Sequence, residues 1–134
     1  NAPQNEFTEQ ALTRLAEIYL DEDKWSLAIP VLKRLEQEAN FPQNKTFAQS
    51  NLMKAYYQQE DYSQAVSYAE TVLSKSGIDN KIRSDAQIII ARSAIQTGDE
   101  AKARSAYAQL ETIATGEVAA ESLYYNAYFM FVEF

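Results

Sequence analysis

The chain has 134 residues, 46% of them apolar, and 12 basic against 19 acidic side chains give it a net charge of −7. That is one domain's worth of chain with enough apolar content for a core; it lacks the clustered Lys and Arg that neutralise phosphates, so neither nucleic acid nor an anionic membrane surface is an expected partner. It has no Cys and no His, which removes disulfides, thiolate nucleophiles, the commonest metal ligand and the commonest general base.

No run approaches 18 apolar residues, so membrane insertion is not expected. Alternating apolar and polar runs are absent, glycine is confined to Gly77, Gly98 and Gly116, and apolar residues recur at three and four. These features predict an all-α chain. The predicted helices cover residues 8–21, 24–39, 45–59, 62–75, 81–97, 100–114 and 117–133. Phe7, ahead of Thr8, is placed to staple onto Leu12 at the first helix start. The first helix carries Leu15, Ala16 and Tyr19, and the second opens with Trp25 and Ala28. Pro30 lies inside the second helix, where it removes a backbone donor. The apolar spacing of Leu27, Val31, Leu32 and Leu35 runs past it, which predicts a slight bend rather than a break. Pro42 marks the handover to the third helix, with Leu52, Met53 and Tyr56. Asp61, followed by Gln64, predicts an N-cap with its capping-box partner. Tyr56 and Tyr62, on either side of that turn, are expected to fill the space above it. Gly77 marks the next handover. In the fifth and sixth helices, Ile90, Ala91, Ala94 and Ala103 flank Gly98-Asp99, a C-terminal glycine followed at once by a cap. Gly116 precedes a last helix that is apolar on nearly every side, which expects cover on every side.

The same pattern returns three times. Ala28 and Ala65 are 37 residues apart, and Ala65 and Ala103 are 38 apart. Self-similarity at that period predicts stacked supersecondary units, none of which buries its own apolar stripe alone.

These residues resemble the tetratricopeptide repeat, a helix–turn–helix unit of about 34 residues. Its slots hold Leu12, Leu15, Ala16, Tyr19, Trp25, Ala28 and Leu32 in the first unit. They hold Gln49, Leu52, Met53, Tyr56, Tyr62, Ala65 and Ala69 in the second, and Gln87, Ile90, Ala91, Ala94, Glu100, Ala103 and Tyr107 in the third. Leu123, Asn126, Ala127 and Met130 supply half a unit. The resemblance implies a right-handed α-α superhelix of about seven antiparallel helices. It implies a single domain over 1–134, with repeat units at about 9–42, 46–80 and 84–116 and a half unit at 117–134. The stretched period suggests the divergent bacterial type. The uncovered last helix suggests a piece of a longer repeat protein, and analogy with similar chains places it in the bacterial periplasm or cell envelope.

The resemblance also implies a function. The first helix of each unit lines a concave face, which would bind a partner protein or peptide. Register aligns Glu17, Lys54, Arg92 and Tyr128 in one column, Leu20, Tyr57, Ile95 and Phe131 in a second, and Thr13, Ser50, Ile88 and Tyr124 in a third. The candidate groove is Glu17, Asn51, Lys54, Tyr57, Arg92, Ile95 and Tyr128, with Lys54 and Arg92 meeting a carboxylate and Tyr57 an apolar side chain. The competing reading is that Glu17 and Lys54 pair across units for under about 1 kcal/mol and the aromatics only finish the packing. The family's clamp for a C-terminal carboxylate is not expected: Thr13, Glu17, Asn51, Asp85 and Ile89 fill its slots, and only Asn51 matches. A second candidate surface is the aromatic end, Tyr124, Tyr125, Phe129, Phe131 and Phe134, as the contact of a homodimer or self-assembly module. An enzyme working through carboxylates is the third reading, and no pair of acids marks a cleft for it. The run Asp21-Glu22-Asp23 lacks the spaced ligands and glycine of a calcium loop. The expectation is a non-catalytic scaffold without metal or cofactor.

Overall fold

The computed structural model describes the backbone of residues 6–132 and side chains from residue 8 onward. The described residues form seven α-helices and no strand: α1 (Glu6–Asp21), α2 (Trp25–Glu38), α3 (Pro42–Gln58), α4 (Tyr62–Leu73), α5 (Asn80–Thr97), α6 (Glu100–Leu110) and α7 (Gly116–Val132). They are the seven helices expected. α1 begins at Glu6, so Phe7 is a helical residue and does not precede the helix as a staple would; its side chain lies outside the described part. α2 runs unbroken through the exposed Pro30.

One turn is built three times. After α1, α3 and α5 the backbone enters the left-handed region at Asp23 (φ 55°), Glu60 (φ 61°) and Gly98 (φ 80°). The next residue's N–H then reaches back to the carbonyl of Tyr19, Tyr56 or Ala94, at 2.9 Å each time. The left-handed residue itself donates to Leu20, Tyr57 or Ile95. This paired closure satisfies helix-end carbonyls that would otherwise be orphaned. The residue after the turn, Lys24, Asp61 or Asp99, accepts at its carbonyl from the N–H of Ala28, Ala65 or Ala103. Asp61 and Asp99 also cap with their side chains, accepting from the N–H of Gln64 and Lys102. Ala28, Ala65 and Ala103 are all fully buried. The three alanines thus occupy the same place in the same turn, which makes the chain a helical repeat.

The chain divides into two compact units, residues 1–68 and 69–134, the division falling inside α4. In the first unit, Ala16 of α1, Ala28 and Leu32 of α2 and Leu52 of α3 form one buried cluster, and Leu12, Leu35 and Ala48 form another. Small residues at the α1–α2 contact let the two backbones approach closely. Tyr56 stacks on Tyr68 at 5.8 Å, and Tyr62 meets the edge of Tyr57 at 5.8 Å, so the aromatic packing at this turn is Tyr57–Tyr62 rather than the expected Tyr56–Tyr62. Tyr68 donates its hydroxyl to Glu36, which also accepts from Gln49. Burial first, then that hydrogen bond, pushes the Tyr68 phenol up to about 12. Glu9 of α1 is fully buried and accepts from the N–H groups of Asn40 and Phe41 and from Asn44 Nδ2. Burial opposes its charge, but these three donors outweigh it and hold the carboxyl below the usual range.

In the second unit α5 and α6 form a hairpin and α7 packs on α6. α7 buries Ser122 and Phe129 and half-buries Tyr125 and Asn126. Leu123 (58% exposed) and Met130 (66%), the expected inward residues, face outward. The half unit is therefore one residue out of the expected register: Ser122, Tyr125, Asn126 and Phe129 take the slots assigned to Leu123, Asn126, Ala127 and Met130.

Candidate functional site

The first unit carries four of the seven candidate groove residues. Glu17, on α1, lies 3.9 Å from Arg14 of its own helix. On α3, Asn51 donates Nδ2 to the Phe47 carbonyl one turn back, Lys54 is half-buried, and Tyr57 rests against Tyr62. In the third column, Ser50 and Ile88 are buried and so face no groove.

The other three lie in the second unit. Arg92 of α5 is bound to Glu121 of α7 by three charge-assisted hydrogen bonds between 2.8 and 3.3 Å. Its guanidinium, expected to meet a partner's carboxylate, meets one from its own chain. Tyr107 of α6, fully buried, donates its hydroxyl to the same carboxylate at 2.6 Å. Burial and then that bond push the Tyr107 phenol strongly up. Burial would raise Glu121 as well, but Arg92 and Tyr107 together hold it below the usual carboxylate value. Sequence reasoning missed Glu121 as their partner. The available signal was Tyr107 itself, a phenol in the slot held by Leu32 and Ala69, since a buried tyrosine hydroxyl needs an acceptor.

Ile95 and Tyr128 are brought together. With Ala94, Gly98, Glu100 and Phe129 they line a shallow cavity of about 230 Å³ at the C-terminal end of α5. Ile95 was expected beside Phe131; the register of α7 gives it Tyr128 instead. The Arg104 guanidinium lies 4.9 Å over the Phe129 ring and 3.6 Å from Glu100. A second, open cavity of about 530 Å³ lies among α4, α5 and α6, where Lys102 bridges to Glu70 at 2.9 Å beside Asp99.

Two of the five candidate self-association residues are committed within the unit. Phe129 is 4% exposed, and Tyr125 stacks on Tyr107 at 4.6 Å. Tyr124 (64% exposed) and Phe131 (80%) face outward, joined by Leu123 and Met130. Phe134 lies outside the described residues. No described helix is long and apolar enough to cross a membrane. Among the described residues, no three acidic side chains gather as metal ligands would.

Residues 11–42, which hold α2 and most of α1, match the family model of the tetratricopeptide repeat. No curated protein and no solved structure matches the chain. The match identifies a tetratricopeptide repeat at residues 11–42, and the turn built three times extends a helical repeat along the described residues; tetratricopeptide repeats generally mediate contacts between proteins.

Proposed function

From that match and the helical repeat, we propose that the chain is a non-catalytic scaffold that binds an extended segment of a partner protein. The observation that carries this reading is the cavity joining Ile95 of α5 to Tyr128 of α7. It supplies a recess for an anchoring side chain, rimmed by an aromatic ring, and such recesses dominate binding energy at interfaces. In the first unit, Glu17, Asn51, Lys54 and Tyr57 are proposed as a separate contact. The non-catalytic part rests on chemistry: the half-buried carboxylates Glu36 and Glu121 accept hydrogen bonds from tyrosines that hold helices together. Arg92 serves the fold in this reading, not the partner.

Random peptides displayed on phage and selected on the full chain test this. Selected peptides should lose at least about tenfold in affinity, measured by fluorescence anisotropy, on Ile95→Asp or Tyr128→Ala. A selection that enriches no peptide, or peptides indifferent to both changes and to Tyr57→Ala, would overturn it.

The outward face of α7 favours a second reading, self-association. Leu123, Tyr124, Met130 and Phe131 are each more than half exposed, an apolar patch of the kind that marks interaction sites. Light scattering of the wild type against Phe131→Glu tests it; a wild type that stays monomeric at high concentration removes it.

A further inference from the structure

Resting on the partner-binding reading above, we infer that the Ile95–Tyr128 cavity is a subsite for one long basic side chain, a lysine or an arginine of the bound segment. Its walls are apolar, formed by Ala94, Ile95 and the rings of Tyr128 and Phe129. Its one charged lining residue is acidic. Glu100 lines it, together with residues at the C-terminal end of α5. Gly98 leaves this end open, since a Cβ built there would meet nothing within 4 Å.

A Lys or Arg side chain satisfies both halves of this surface. Its methylene stem covers Ile95 and Tyr128 while its charged head stays at the rim beside Glu100. The Tyr128 ring, 47% exposed, adds cation–π attraction. Arg104 already shows this chemistry, with its guanidinium over the Phe129 ring. It forms an ion pair with Glu100 at 3.6 Å, and the other lone pairs of the carboxylate can accept from a second donor. An acidic side chain would meet Glu100 with like charge. A purely apolar one would cover Glu100 without giving it a donor, which costs free energy. The chain's net charge of −7 favours a basic segment at longer range as well.

The test is an NMR titration of the ¹⁵N-labelled full chain with N-acetyl-arginine amide, with its neutral isostere N-acetyl-citrulline amide and with N-acetyl-norleucine amide. The arginine compound should shift the amides of Ile95, Gly98, Glu100 and Tyr128 and saturate in the millimolar range. The two neutral compounds should bind about fivefold more weakly, the size of a surface ion pair. Glu100→Gln, at an exposed position that is not the helix cap, should bring arginine down to the level of citrulline, and Glu100→Lys should abolish arginine binding while sparing norleucine. Norleucine binding as tightly as arginine, or arginine shifts that miss these four amides, would overturn the inference. Phage-selected peptides that need Ile95 and Tyr128 but contain no Lys or Arg would remove the inference and leave the scaffold reading standing. Arginine binding here without any selectable peptide would do the reverse.

Discussion

Asp23, Glu60 and Gly98 adopt one backbone conformation with different side chains, and this difference has measurable consequences. A left-handed φ costs an L residue about 1–2 kcal/mol and glycine nothing. Gly98 has no neighbour within 4 Å of where a Cβ would stand, so Gly98→Ala should lose about 1 kcal/mol through the backbone alone. Glu60→Gly should gain about 0.5 kcal/mol, because glycine's extra freedom in the unfolded chain offsets part of the relief. Urea denaturation midpoints of the two variants, moving in opposite directions, check the pair. Glu121 makes a different prediction. Its folded pKa lies below its ordinary value of 4.5, so the unfolded chain binds the proton more readily. Its stabilisation is then complete above about pH 5 and fades as pH falls through the depressed folded value. Glu121→Gln should cost about 1–2 kcal/mol at pH 7, and the gap to wild type should narrow as pH falls below the ordinary value of 4.5. A gap that stayed constant across that range would mean the carboxylate's charge does not hold α7.

The helices were legible in the sequence because their apolar spacing is strongly periodic and their turns are marked by Gly98-Asp99, Asp61 and Pro42. The phase of α7 was not, since a helix apolar on nearly every side has no polar stripe to say which face turns inward. The left-handed turns at Asp23 and Glu60 carry no glycine to announce them; only the repeat period of 37 and 38 residues, read back from Gly98, points there. Of the candidate site, the exposure of Ile95 was legible from the polar and apolar phase of α5, whereas its meeting with Tyr128 was not, because it depends on the phase of α7. The Arg92–Glu121 pair spans 29 residues and two helices, and Glu9 finds its donors more than 30 residues away in the α2–α3 connection and the first turn of α3. Such pairings exist only in three dimensions. What the element scale does predict is the intolerance of the repeated alanine. Ala103 is fully buried where α6 leaves its turn beside α5. Ala103→Leu should therefore cost about 1–3 kcal/mol by overpacking, while the same change at Ala101, exposed on the same helix, should cost less than about 0.5 kcal/mol. Thermal melts of the two variants separate burial from helix propensity, since both add the same side chain to α6.

Across the whole molecule, net charge and the apolar face of α7 act in opposite directions. At −7, two copies repel each other. The outward residues Leu123, Tyr124, Met130 and Phe131 are uncharged, so contact through α7 brings the copies together where that repulsion is weakest. Salt then separates the two effects. Raising ionic strength from 0.15 M to 1 M shortens the screening length from about 8 Å to about 3 Å, which suppresses the repulsion and leaves apolar burial intact. Self-association should therefore strengthen with salt and with protein concentration, as mass-resolved light scattering would record. Phe131→Glu should keep the chain monomeric in both salts, because it places a charge at the most exposed ring of the face. Tyr128 links this face to the cavity beside Ile95, being 47% exposed on α7 and a lining residue of the recess. A peptide seated on Tyr128 should accordingly lower the apparent mass. If association instead weakened with salt, its driving force would be ionic, and the aromatic face of α7 would not be the contact.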